Sequence, residues 1–418
     1  MSLKLLDYIL VHNKTHHSLF IINSSSLIIF MNFCITCAAG LESILKKEIE
    51  LAGYTVIGSW PTLVRFKGDI SAIAKINLRS RVWNKLFIEL AQHITSDFNQ
   101  LFDLVTTIDR KMYVQGNPII VTAITKQSML TSTPTIQSIV KKAIVKKILQ
   151  GQWTRNEWQG NENSERVIED EKLQPIEILV HIDHDMCSIL LNTTWESLHK
   201  RGYKKAIGEA PINESLAAWL LLLSGRKFSE PLYDFFCGSG TIAIEAALLA
   251  KNIAPGIFRW FAFQHFARYD QNIFSTELQS AKAKMMLTKH HTIIASDIDP
   301  TMINIAQENA KYAWVENYIT FITRDIAEYI NDQELIGTIV SNPPYGLRMN
   351  AYDLEKVYYT ITEVFTHHPK LHGGIITSYE KFLPENIWWN WKKSMFFNGG
   401  ERCRFYKKTL LQGLGDRT

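Results

Sequence analysis

Apolar positions along this chain follow two rhythms. From Met31, a short apolar and partly β-branched run (FCITCAA) gives way at Gly40 to Leu41, Ile44, Leu45, Ile49 and Ala52. That spacing predicts a strand, then a helix closed by Gly53. Further short strands and a helix over about Ile70–Asn77 carry the mixed pattern to residue 100, which suggests a small α+β unit. A second unit opens near residue 101. Pro118–Thr125 reads as a strand, KQSMLTSTPT (Lys126–Thr135) as a polar loop, and Ile136, Ile139, Val140, Ala143, Ile144 and Ile148 as one helix face. Residues 153–172 are polar and read as a loop. Ile176–Ile182 and Met186–Thr193 read as a hairpin turning at His184-Asp185.

After residue 200 longer helical patterns alternate with short apolar strands, the mark of a parallel α/β sheet. Four strands there end in chemistry-bearing residues. They are Pro231–Phe236 before CGSGT, HTIIASDIDP, Ile319–Asp325, and Leu335–Val340 before SNPPYG. The interval Ile253–Met286 reads as an insertion beside the site. The fold expected is a Rossmann-like α/β domain with a mostly parallel sheet over residues 200–418. It is preceded by α+β modules at 31–100 and 101–195.

Length and composition agree with that division. The chain has 418 residues, 46% of them hydrophobic and 21% charged, which suits a globular protein of two or three domains. The formal net charge of +4 names no partner. Its distribution says more. No acidic residue stands between Asp109 and Glu157, a stretch holding Lys126, Lys141, Lys142, Lys146 and Lys147. A polar loop with Ser128 leading into a lysine-bearing helix suits phosphate contacts. The alternative is a solvated helix face. The five cysteines are odd in number, Cys34-x-x-Cys37 has no second pair to complete a zinc site and reads as a strand that points the two to opposite faces, and the histidine doublets lack ligand spacing, so packing roles and surface positions are expected. Residues 1–30 hold no run as long as a membrane helix and no ordered signal sequence. They read as an extension ahead of a natural start at Met31, and a cytoplasmic location is expected.

The strand ends define a ligand. Gly238 and Gly240 leave backbone open to close approach, and the helix starting at Thr241 offers free N–H groups beside Cys237. The spacing G-S-G-T fits neither a dinucleotide loop nor a phosphate loop. Asp234, an acid beside the turn, suits the ammonium of an amino acid instead. Asp297 and Asp299 are placed to accept hydrogen bonds from ribose hydroxyls, and Asp325 to meet an adenine amine. A ligand with those three parts is S-adenosylmethionine.

YDFFCGSGTIAIEAA, ASDIDP, TRDI and SNPPYG, in this order, resemble class I methyltransferases that act on amines. More narrowly, the chain resembles the THUMP-domain RNA methylases, a bacterial group that includes the N2-guanine methyltransferase half of the large-subunit ribosomal RNA enzyme. CAAGLESILKKEIELAGY, the segment Leu190–Leu221 and NIAPGIFRWFAF share that likeness, which covers about residues 31–410. One departure is Phe235, where relatives often carry proline. The resemblance implies a ferredoxin-like part at 31–100, a THUMP module gripping RNA at 101–195, and a catalytic domain. It implies methyl transfer to guanine N2 in 23S ribosomal RNA.

SNPPYG can then be read chemically. Asn342 Oδ1 and the Pro343 carbonyl would accept the two N–H bonds of a ring-bound amine and stabilise its developing positive charge. Pro343 and Pro344 stiffen the loop, and Tyr345 would offer a stacking ring to an extruded base. Arg348 could meet phosphate or surface carboxylates. No metal is required. Three other readings remain open at this stage: the same architecture acting on transfer RNA, a DNA or protein-glutamine amino-methyltransferase, and a non-catalytic RNA-binding factor.

Overall fold

The computed structural model describes residues 10–11, 20–23, 26–108, 117–152, 172–205, 212–267, 269–288, 291–345, 351–379, 382, 391–398 and 401–410. Three short strands, β1 (Leu10–Val11), β2 (Phe20–Asn23) and β3 (Ser26–Ile29), pair antiparallel ahead of the main body. Among the described residues no helix is long and apolar enough to cross a membrane.

The first main unit is one seven-stranded sheet. Its strands are β4 (Met31–Thr36), β5 (Thr55–Trp60), β6 (Leu63–Gly68), β7 (Lys85–Ile94), β8 (Ile119–Lys126), β9 (Ile176–Asp183) and β10 (Met186–Asn192). They lie in the order β5-β6-β4-β7-β10-β9-β8. Helices α1 (Glu42–Leu51), α2 (Ser71–Arg79), α3 (Phe98–Thr106) and α4 (Thr133–Gln152) connect them. The two amino-terminal units therefore share a sheet: β10 pairs antiparallel with β7 across the expected boundary near residue 100. His184 and Asp185 both adopt positive φ (49° and 62°), the conformation a two-residue hairpin needs to follow the strand twist. Cys34 and Cys37 sit in separate buried clusters, as their opposite directions along an extended chain require. His368 was expected at the surface with its neighbour, and the structure corrects this. Its ring is buried, Nδ1 accepts from the Leu335 N–H (3.1 Å) and Nε2 lies 2.7 Å from the Tyr329 carbonyl.

The second unit contains α5 (Glu214–Leu223), β11 (Leu232–Asp234), α6 (Thr241–Ala250), α7 (Gln271–Ala283), β12 (Ile293–Asp297) and α8 (Pro300–Tyr312). These are followed by β13 (Thr320–Thr323), β14 (Gly337–Ser341), α9 (Ala351–His367), β15 (Leu371–Thr377), β16 (Trp391–Asn398) and β17 (Glu401–Lys408). The sheet order is β13-β12-β11-β14-β15-β17-β16. β13 to β15 run parallel, and the β16–β17 hairpin returns antiparallel at the edge. The order reverses between β11 and β14, so the crevice outside their carboxyl ends is the natural ligand position. α6 leads away from that crevice and is apolar almost all round. It is packed between the sheet, α5 and α8, and Arg81 from the amino-terminal unit donates to its Leu248 carbonyl, so it is covered all round, which is what such a helix requires.

Buried charge locks the two units together. Arg201 and Glu245 are almost wholly buried, with Arg201 Nε 3.4 Å from Glu245 Oε1, and the Tyr203 hydroxyl donates to the same oxygen at 3.1 Å. Arg201 also donates to the carbonyls of Leu198 and Arg81, and Arg81 donates to the Ile253 carbonyl at 2.8 Å. At Gly256 a Cβ would lie 2.7 Å from the Asn77 carbonyl oxygen, so only glycine allows this approach of the insertion to α2.

Candidate active site

The crevice is built by three strand ends. Asp234, the last residue of β11, is fully buried. Ser341, the last residue of β14, donates its hydroxyl to Asp234 Oδ1 at 2.8 Å and accepts the Phe235 N–H at 2.8 Å. Asp234 Oδ2 has no partner. Loss of hydration pushes this carboxyl up to about 7, and nearby Asp297 adds to the rise; the Ser341 bond and the Phe236 amide oppose it. Sequence reasoning missed Ser341, although its place before the prolines was a signal. It is the residue that aims Asp234 and ties β11 to β14.

The glycine turn is braced from the next strand. Gly238 N–H donates to Asp297 Oδ2 (2.9 Å), while Asp299 N–H donates to Asp297 Oδ1 (3.1 Å). Gly238 has φ +49° and a Cβ there would meet nothing within 4 Å, so the space above it is open to a ligand. Gly240 differs. With φ +82°, its Cβ would come within 2.9 Å of Ala306 Cβ in α8, so glycine here serves helix packing rather than ligand approach. Asp299 caps α8 through the Thr301 N–H (2.8 Å), and Asp325 caps the short helix after β13 through the Ala327 N–H (2.8 Å). Each carboxylate keeps further lone pairs, so capping does not preclude contact with a ligand hydroxyl or amine.

β14 ends at Ser341, directly before Asn342, where the prolines require it. Asn342 Oδ1 is buried and has no partner. Pro343 is buried, and the Pro344 carbonyl accepts the Tyr358 hydroxyl at 3.1 Å, which anchors the loop to α9. Tyr345 departs from the expected role. Only 2% of it is exposed, and its hydroxyl lies 3.8 Å from Cys403 Sγ. In this conformation its ring supports the loop from beneath and has no free face for a base. Cys237 is buried and its thiol is pushed well up by burial, Asp234 and Asp297, so it is a protonated packing residue.

Asp234 Oδ2, Thr241 Oγ1, Ser296 Oγ and Asn342 Oδ1 are all buried side-chain atoms without partners, and all belong to this edge of the sheet or the helix start behind it. Each costs about 1–3 kcal/mol if left dry and unpaired. Four such atoms together mark a polar ligand's place, and the acid, hydroxyls and open glycine turn fit a ligand with an ammonium and several hydroxyls.

The expected RNA contacts fare unevenly. Lys126 and Lys142 are exposed and Lys141 is half-buried. Ser128 is corrected: its hydroxyl donates to the Lys126 carbonyl (2.8 Å) and accepts the Asp185 N–H (3.0 Å), pinning the loop to the hairpin turn instead of offering a donor to phosphate. Lys146 lies within α4, with its side chain outside the described residues, as Arg348 is entirely.

Residues 201–403 match the family described as RMKL-like, methyltransferase domain, and residues 32–86 match the RlmL ferredoxin-like domain. The chain is 32% identical over 376 residues to "Putative RNA methyltransferase YpsC" of Bacillus subtilis, covering 89% of this chain and 94% of that protein. It is 32% identical over 388 residues to the "Ribosomal RNA large subunit methyltransferase K/L" of Pseudoalteromonas atlantica, covering 90% of this chain and 53% of that protein. The chain thus spans about half the length of this K/L relative. Among solved structures, SMU.472, "a putative methyltransferase complexed with SAH", superposes with a TM-score of 0.81 at 29% identity, over 92% of this chain and 99% of that one.

Proposed function

This chain belongs to the RMKL-like methyltransferase family, with S-adenosylmethionine as its methyl donor, and from that premise we propose that it methylates the exocyclic N2 amine of a guanine in 23S ribosomal RNA. The names carried by YpsC and by the K/L protein support RNA as the acceptor. The observation that carries the chemistry is the buried, unpartnered Asn342 Oδ1, next to the serine that aims Asp234.

The bound donor supplies an electrophilic methyl group on a sulfonium. Asp234 Oδ2 and Thr241 Oγ1 are the free groups suited to its amino-acid end, and Gly238 leaves the room. Asn342 Oδ1 accepts an N–H of the target amine, whose lone pair is otherwise delocalised into the ring. That hydrogen bond strengthens as positive charge develops on nitrogen, so it favours the transition state over the ground state. Pro343, Pro344 and the Tyr358 anchor fix Asn342 before the base arrives, so little ordering remains at the reactive step. The amino-terminal sheet would grip the RNA, residues 31–100 as the ferredoxin-like part and 101–195 as a THUMP module, with Lys126 and Lys142 facing solvent.

The test incubates the protein with labelled methyl donor and undermodified total RNA, followed by mass spectrometry of the nucleosides. Labelled N2-methylguanosine in 23S RNA is expected. Label in adenine or in transfer RNA, or no label in RNA at all, would replace this reading.

A further inference from the structure

Two chain segments bring large aromatic side chains to an exposed place between the amino-terminal sheet and the glycine turn, and a third adds a lysine. The insertion contributes Phe258 and, two residues on, Trp260. The turn after α8 contributes Tyr312 and Trp314. The segment entering the catalytic domain contributes Lys205. Phe258 meets Trp314 edge-on with ring centres 4.7 Å apart, and Lys205 Nζ lies 5.9 Å from the centre of the Tyr312 ring. Three of these rings stand clear of the core, while Phe258 is half-buried against it. Trp260 is 75% exposed, Trp314 72% and Tyr312 53%. A single exposed aromatic needs no explanation, but Trp314 held edge-on by Phe258, with exposed Tyr312 two residues before it and exposed Trp260 two residues after Phe258, does.

The cluster's position is built, not incidental. Lys205 N–H donates to Asn309 Oδ1 (3.1 Å), and Asn309 Nδ2 donates to the Ser239 carbonyl inside the glycine turn (3.0 Å). Asn309 is fully buried, so this link to the cofactor turn is shielded from water. On the other side, Arg259, between Phe258 and Trp260, donates to the carbonyls of Ser197 (2.9 Å) and Lys200 (3.0 Å) just beyond β10. The residues that carry the rings are therefore tied to the segment beyond β10 on one side and to the glycine turn on the other.

We infer that this surface is a stacking platform for unpaired nucleotides of the RNA substrate, leading the strand from the amino-terminal sheet toward the target-base site. The inference rests on the proposed RNA acceptor. Every base has a π-face, so tryptophan and tyrosine rings bind single strands with little sequence preference. Lys205 and exposed Lys311 supply cations beside the rings for the phosphates. Exposed Glu308 and Glu316 flank them, so stacking on the rings rather than net charge carries the contact.

Fluorescence anisotropy with a labelled single-stranded oligouridine of about twelve nucleotides tests this, with a duplex of the same length as control. Wild type is expected to prefer the single strand. Combined Trp260→Ala, Tyr312→Ala and Trp314→Ala should weaken single-strand binding by at least about tenfold, while Phe at the three positions restores most of it. Melting temperature and methyl-donor affinity should not move. Should the triple variant lose its fold, Trp260→Ala alone should still weaken binding by about fivefold. Unchanged oligonucleotide binding by folded variants, with wild type binding normally, overturns the platform and leaves the RNA reading standing. Wild type binding neither the oligonucleotide nor ribosomal RNA overturns both. A wild-type dimer that the triple variant dissolves makes the patch a contact between copies and overturns the platform.

Discussion

Asp234 should make the donor-free protein less stable as pH rises, and removing its charge should abolish this trend. The carboxyl is fully buried, with one oxygen held by Ser341 and the other unpaired. Its value climbs from 3.8 to about 7 in the folded chain. The folded state therefore keeps the proton that the unfolded state has already released. The stabilisation is complete below 3.8, shrinks as pH rises, and is gone once pH passes about 7. At about 1.36 kcal/mol for each pH unit, the climb is worth about 4 kcal/mol in total. Asp234→Asn keeps the Ser341 hydrogen bond through its side-chain oxygen and cannot ionise. In urea titrations without donor, the variant should gain about 3 kcal/mol on wild type between pH 5 and pH 8. The same variant should bind donor poorly, because the cation's partner is lost. Parallel stability curves over that window would refute the reasoning: Asp234 would then carry its charge in the free protein, and the unpaired oxygen would need another explanation.

Three further outcomes follow from the same geometry. Asn342→Ala should lower kcat by about 100-fold or more with donor affinity nearly unchanged in calorimetry; normal turnover would remove the amine-acceptor role. Gly240→Ala forces a Cβ both into a positive-φ backbone and to 2.9 Å from Ala306, so thermal melts should show a loss of about 2 kcal/mol or more, with weaker donor binding. Arg201→Met leaves the Glu245 carboxylate buried without its guanidinium, so denaturation should show a loss of about 3–5 kcal/mol, mostly recovered by adding Glu245→Gln.

Some of this was legible in sequence because it is local. Period-2 and period-3.6 patterns located β4, α1, β8, α4, and the β9–β10 hairpin within a residue or a few. The order of acidic strand ends around the glycine turn pointed to the donor. Roles that depend on what a side chain meets were less legible. Ser128 looked like a phosphate donor because polar loops face water, but its hydroxyl is taken by the chain's own turn. Tyr345 looked like a platform because a tyrosine after two prolines has an apolar face to offer. The β16–β17 hairpin instead returns Cys403 beside its hydroxyl and closes the ring in.

The sequence by itself determined the alternation of strands and helices and the residue types at each strand end, since these depend on neighbours a few positions away. Only the tertiary structure decided that Ser341 aims Asp234 from 107 positions along the chain, and that Gly240 answers to Ala306. It also decided that the two amino-terminal units merge through β7 and β10. The reason is physical: periodicity records which face of an element avoids water, whereas hydrogen bonds, close contacts and desolvation depend on which distant element that face meets.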